Sequence, residues 1–175
     1  MGIDINNNYS IRNILGYQKS NDEFYTSKET VEKLLKILKL PKNVVIWCPF
    51  DKHESEFVRQ FSKTYDVIAS HIDNGQDFYK YCPKRKWDLI ISNPPFSKKR
   101  ILIERCMKLK KPFCLLYGTT IFSQSMGNTL NECEFWFIQN NCKFKSKDGS
   151  IKSFQCCWVM SKGFKNKYFK KMKGK

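Results

Sequence analysis

Hydrophobic positions along the chain fall into two alternating kinds of pattern. Short continuous apolar runs occur at Val44–Trp47, Tyr65–Ser70, Leu89–Ile91 and Phe113–Tyr117, with two more at Glu134–Ile138 and Phe154–Met160. Runs of this length, rich in β-branched and aromatic residues, predict strands buried on both faces. Between them lie helical stripes. Val31, Leu34, Leu35 and Leu38 repeat at i, i+3, i+4, i+7, and Thr26 with Glu29 forms a capping box in front of them, with Pro41 as the stop. Phe57, Val58 and Phe61 mark a second helix with Ser55 near its cap, and Leu102, Cys106 and Leu109 the inner face of a third, over Lys98–Lys110. Strands alternating with helices predict an α/β domain around a mainly parallel sheet. The last two strands predict a closing hairpin, joined through Lys143–Lys152 with a turn at Asp148–Gly149. Residues 121–131 read as an irregular or partly helical connection. Residues 1–20 are an extension with one possible helical turn at Ile11, Ile14 and Leu15, residues 21–160 the domain, and residues 161–175 a basic tail with Tyr168 and Phe169 interleaved.

One stretch carries distinctive chemistry. From Trp87 the chain reads Trp-Asp-Leu-Ile-Ile-Ser-Asn-Pro-Pro-Phe-Ser-Lys-Lys. The strand stops at Asn93, because the two prolines that follow cannot donate to a ladder and Pro94 biases Asn93 away from helix. Polar and aromatic groups therefore sit on a stiff turn at the carboxyl end of a buried strand, where open α/β sheets place ligands. The Asn93 side-chain oxygen and a proline carbonyl can accept both hydrogens of an exocyclic amine, and Phe96 can stack on the ring bearing it. The plain alternative is a turn that caps a core strand, with Phe96 as packing.

Charge narrows the partner. The 175 residues carry a formal net charge of +16, and the last fifteen include seven lysines and no acid. Such an excess favours a polyanionic partner, nucleic acid before all others. With 41% hydrophobic residues the chain is a globular domain rather than a disordered one. It has no apolar run of membrane-spanning length, and its Asn-rich start is not a signal peptide, so a cytoplasmic protein without a membrane partner is expected. The eight cysteines form no CxxC pair, and Cys114, Cys156 and Cys157 lie within apolar runs. They read as reduced core thiols, with no metal site expected.

The combination Phe24-Tyr25-Thr26, Cys48-Pro49-Phe50-Asp51, Asp77-Phe78 and Ser92-Asn93-Pro94-Pro95-Phe96-Ser97 resembles the small phage-type adenine-N6 DNA methyltransferases, which use S-adenosylmethionine (SAM). The resemblance covers most of residues 21–160. It implies a minimal Rossmann-like class I SAM-dependent methyltransferase fold, its strand before the Asn-Pro-Pro-Phe motif shortened or missing, since about ten residues separate Asp77 from the strand at 88. It implies that Phe24, Tyr25 and Thr26 cover the methionine end of SAM and that Cys48, Pro49, Phe50 and Asp51 form the first cofactor loop. His71 or Asp73 would meet the ribose, and Asp77 and Phe78 the adenine ring. Asn93 and the Pro94 carbonyl would hold the target amine, Pro95 would stiffen the turn, and Phe96 would stack on the base. Ser97, Lys98, Lys99 and Arg100 would contact the nucleic acid, in the bacterial host cytoplasm if a phage encodes the protein. The first loop departs from the family pattern: Cys48 occupies the position of the usual acid and the glycines are absent, so Asp51 is the candidate replacement. A glycine-free loop keeps its backbone farther from a ligand. That departure supports one alternative to a DNA enzyme, a non-catalytic relative that binds nucleic acid or a host protein. The same tetrad also serves enzymes for RNA adenines and for a glutamine amide in proteins, and the net charge argues against the last.

Overall fold

The computed structural model describes residues 24–146 and 149–170. The expected turn at Ile11–Leu15, Asp148 and the last five residues lie outside that range. Six strands form the central sheet: β2 (Val45–Cys48), β3 (Asp66–Ala69), β4 (Leu89–Ser92), β5 (Phe113–Gly118), β6 (Cys133–Phe137) and β9 (Cys156–Ser161). Their order is β3-β2-β4-β5-β9-β6, with β9 alone antiparallel to its neighbours. This is a Rossmann-like, mainly parallel sheet, and among the described residues no strand lies between Asp77 and β4, where the short interval leaves little room for one.

The apolar runs lack polar alternation because helices cover both faces of the sheet. Ile46, Cys48, Leu89, Ile91, Cys114, Leu116, Trp158 and Met160 belong to one core cluster, with Val31 and Leu34 of helix α1 (Lys28–Ile37) and Phe57, Val58 and Phe61 of α2 (Glu56–Phe61). The alternate residues Trp47, Ile90, Phe113, Leu115, Tyr117, Cys157 and Val159 belong to a second cluster, with Leu102, Ile103 and Cys106 of α3 (Lys99–Lys108) and Leu130 of the short α4 (Gly127–Leu130). Period-two alternation thus divides each strand between the two sides of a three-layer sandwich.

Several expectations need correction. Thr26 is not a helix cap. It ends a strand, β1 (Phe24–Thr26), and Ser27 occupies the cap position of α1. The chain from 154 to 160 is likewise not one strand. It breaks at Gln155, whose carbonyl accepts the amide of Thr119, so that β8 (Ile151–Phe154) and β9 join different sheets. Strand β8 pairs with β7 (Cys142–Ser146), and β7 pairs with β1, giving a small antiparallel sheet β1-β7-β8. The physical reason is partnership: an isolated three-residue strand is not stable, and β1 forms because the distant hairpin offers it a ladder. The helix α1 also ends at Ile37, before Pro41, where Leu38 turns extended and bridges to Phe169. Helix α5 (Phe164–Tyr168) then buries Phe164 and Tyr168 in the first core, and Phe169 packs on Trp136, so these tail aromatics face the core.

The small sheet is amphipathic. Cys142, Phe144 and Ser146 are buried while Lys143 and Lys145 between them are exposed. Phe144 stacks on Phe154 at 4.5 Å and meets Phe96 edge-on at 6.3 Å, so it fastens the small sheet to the Asn-Pro-Pro-Phe turn. Phe144→Ala is expected to lower unfolding free energy by roughly 3–5 kcal/mol, whereas Lys145→Ala on the opposite face should change it by less than about 0.5 kcal/mol. Equal losses in urea titrations of the two variants would contradict the assigned facing.

Candidate active site

From β2 the chain passes to β3 on one side of the sheet, while β4 continues it on the other. The loops leaving β2 and β4 therefore part at their carboxyl ends, which is where doubly wound sheets form their ligand crevice. A cavity of about 1220 Å³ opens there. Its base is a hydrogen-bonded set from three strand ends. Ser70, just past β3, accepts from the Trp47 indole nitrogen at 2.8 Å, donates its amide to the Cys48 carbonyl, and accepts the Asp51 amide on its own carbonyl. Ser92, the last residue of β4, donates its hydroxyl to the Asp51 carboxylate.

Asp51 is the electrostatic centre of this set. It is 6% exposed. Burial drives its pKa from the ordinary 3.8 up to about 6, against the opposing effect of hydrogen bonds from Ser92 and Ser55. Ser55 also caps α2, accepting the Val58 amide at 3.4 Å, as expected. The missing glycines have a local explanation. Left-handed backbone among the described residues is confined to Lys98, Lys110, Gly75, Gly149 and Gly163, so the loop from Cys48 to Ser55 has no position that needs glycine.

The cavity brings together most of the predicted residues: Tyr25 and Thr26, then Pro49, Phe50 and Asp51, then His71, Asp77 and Phe78, and finally Asn93, Pro94, Pro95 and Ser97. Asn93 is half-buried and Pro94 buried at the end of β4. The His71 Nδ1 atom accepts the Asp73 amide at 3.1 Å, which leaves Nε2 to carry the proton of the neutral ring. Asp77 caps its own turn through the Tyr79 amide, and Phe78 packs on Phe50 at 4.8 Å with the Arg105 guanidinium above it.

Other predicted residues lie elsewhere. Cys48 is fully buried in the core and does not line the cavity, and burial, with Asp51 nearby, holds its thiol well above the usual range. Asp73 does not line the cavity and pairs with Lys52 at 2.7 Å, which leaves His71 of that pair. Phe96 also stands outside the lining. Its ring packs against Tyr117 and Phe154, each at 5.8 Å, and braces the turn from behind. Lys98, Lys99 and Arg100 begin α3 beyond the cavity rim. Phe24 belongs to β1, as part of the ladder to Ser146.

Sequence reasoning passed over the contribution of the hairpin. Lys143, Phe144, Lys145 and Ser146 of β7 and Ile151 of β8 line the cavity opposite the sheet edge, together with Lys28. The Thr26 and Ser146 hydroxyl oxygens are buried with no hydrogen-bond partner among the described residues. Unsatisfied buried hydroxyls cost free energy, and two on one cavity wall suit a polar ligand group. The sequence signal was the alternation Cys142-Lys143-Phe144-Lys145-Ser146, which predicts a half-buried strand rather than a loop.

No protein-family model matches the chain, and no curated protein does. Eight solved chains match. Among them is a precorrin-6y C5,15-methyltransferase from Geobacter metallireducens GS-15, 14% identical, with a TM-score of 0.44 over 85% of this chain and 95% of that one.

The buried carboxyl predicts a pH dependence of stability. A folded-state pKa of about 6 lies above the ordinary 3.8. Asp51 therefore favours folding below about pH 4, and this contribution is lost as pH rises through 6. Asp51→Asn should remove that slope. Relative to wild type, the variant should gain on the order of 2–3 kcal/mol between pH 4 and pH 7.5, measured by urea denaturation at both values. Parallel pH profiles for wild type and variant would show that the carboxyl is not buried as described.

Proposed function

We propose that this protein is a SAM-dependent methyltransferase that modifies the exocyclic N6 amine of adenine in DNA. The observation that carries the reading is the convergence of Thr26, Asp51, Asp77 and Asn93-Pro94-Pro95 on one cavity, from segments far apart in the chain. The volume supports it: ligand sites run to roughly 300–1,000 Å³, and about 1220 Å³ has room for a cofactor beside a base. The wall chemistry fits a zwitterionic cofactor. Thr26, Ser146 and Lys28 offer donors for a carboxylate, Asp51 and Asp77 offer acceptors, and Phe50 with Phe78 gives an aromatic wall for a ring. When bound, SAM supplies an electrophilic methyl group.

The chain's own residues orient the amine. The Asn93 side-chain oxygen and the Pro94 carbonyl accept one amine hydrogen each, which turns the nitrogen lone pair toward the cofactor side of the cavity. One of those protons is released to solvent once the nitrogen is substituted. Pro95 restricts the turn, and Phe96, wedged against Tyr117 and Phe154, keeps it in place. No activated nucleophile is required, because positioning of this kind supplies a large share of a barrier reduction. A duplex adenine has to leave the stack to reach such a turn, and the charge of +16 supplies salt-sensitive affinity for the phosphate backbone.

Asn93→Ala should abolish methyl transfer while leaving SAM affinity by calorimetry within about twofold. Transfer is read by digesting DNA and RNA from expressing cells to nucleosides and assaying 6-methyladenine. A fully active Asn93→Ala protein would overturn the mechanism, the mark in RNA alone would reassign the substrate, and no SAM binding by wild type would favour the non-catalytic reading. SAM carries a sulfonium cation, so its affinity should fall as pH drops below 6 and Asp51 takes up a proton. Asp51→Asn should bind SAM roughly tenfold more weakly at pH 7.5.

A further inference from the structure

The carboxyl edge of the sheet is divided by charge. The loops after β2 and β3 hold Asp51, Glu54, Asp73 and Asp77, and Glu56 opens α2 beside them. From Asn93 to Ile103, from Gly118 to Asn131 and from Phe135 to Ser146 the chain carries no acid at all. These acid-free segments follow β4, β5 and β6, so one half of the edge carries the acids and the charged side chains of the other half are all cations. Two of the rings are exposed: Phe122 to 43% and Phe137 to 60%. They lie nearly parallel, 26° apart with centroids at 5.5 Å, and Phe135 braces Phe122 edge-on at 5.0 Å.

This ledge is tied to the candidate active site. Phe137 shares a row of the sheet with Cys157 and Tyr117, and Tyr117 packs on Phe96. With strands spaced roughly 4.8 Å apart, β6 lies about 10 Å from β5 along that row. On the other side, Lys99 at the start of α3 donates to the Thr120 carbonyl at 3.0 Å, which fixes the turn leading into Phe122. Lys98 and Arg100 flank it, exposed.

We infer that the Phe122–Phe137 ledge is a stacking platform for unpaired bases of the nucleic-acid strand that flank the target nucleotide. This rests on the nucleic-acid reading above and adds to it the place where neighbouring bases sit. Every base has a π face, so a pair of exposed rings beside cations holds a strand without reading its sequence. A second copy of the chain is the poorer occupant. The two rings together expose about one phenylalanine's worth of surface, roughly 150–250 Å², against the ~800 Å² per partner of a stable interface. Two bodies each carrying +16 also repel.

The probe is a fluorescent single-stranded 20-nucleotide oligomer of mixed sequence, read by anisotropy with the full chain at several salt concentrations. Phe122→Ala and Phe137→Ala should each weaken binding roughly 10-fold. The slope of log affinity against log salt should stay unchanged, because no phosphate contact is lost. Phe122→Trp should bind at least as tightly as wild type, and Phe122→Leu, which keeps apolar bulk without a π face, should bind like the alanine variant, so a folding defect is separated from lost stacking. SAM affinity should be unaffected throughout. Unchanged oligomer affinity in the alanine variants, with wild type binding well, overturns the ledge and leaves the nucleic-acid reading standing. Wild type that binds neither DNA nor RNA overturns both. Sedimentation showing a wild-type dimer that Phe137→Ala dissociates, at unaltered oligomer affinity, assigns the surface to self-association instead.

Discussion

The hydrogen bond from Ser92 to Asp51 joins the ends of β2 and β4 at the point where their loops part. Two neighbouring parallel strands that send their connections to opposite sides open a crevice between them, and something polar has to line its floor. Here that is a nearly enclosed carboxyl, kept from full desolvation by two serine hydroxyls and anchored through its amide to Ser70. Ser70 is in turn held by the Trp47 indole. These bonds tie the first loop to the ends of β3 and β4.

The small sheet β1-β7-β8 supplies the opposite wall. It is assembled from a strand before the first helix and a hairpin inserted between β6 and β9, so its existence depends on closure over more than 100 residues of chain. Its inner aromatic residues, Phe144 and Phe154, lock onto Phe96, and its buried hydroxyls at Thr26 and Ser146 face a site rather than a partner. Gly118 has its own role at this junction, since a Cβ there would meet the Phe154 ring at 3.4 Å. The wall and the turn are therefore packed against each other, and Phe96 contributes by bracing.

The first loop, from Cys48 to Ser55, runs without glycine. Glycine matters in such loops where the backbone must adopt a left-handed conformation or lie against a ligand. From Cys48 to Ser55 no left-handed position occurs, and Asp51 offers a side-chain carboxylate to the cavity instead. Cys48 sits in the core, where a small apolar thiol packs well and a carboxylate would not.

The sequence by itself determined the layers and the floor of the site. Continuous apolar runs report burial on both faces, helical stripes report which face is covered, and two prolines after a buried strand end it at one residue, because each effect acts within a few positions of the chain. On those grounds the α/β sheet and the placement of Asn93–Pro95 at a carboxyl edge were legible, while the missing strand after Asp77 was an expectation that came from the resemblance. Tertiary structure decided what depends on distant partners. Thr26 became a strand residue because β7 offered it a ladder, Phe154 and Cys156 were divided between two sheets because Gln155 bonds to Thr119, and Phe96 turned to Tyr117 and Phe154 because the hairpin brought them within reach. The pairing of Asp73, which does not line the cavity, with Lys52, which does, is of the same kind. Local chemistry set which residues were available, and long-range pairing chose which of them face the cavity.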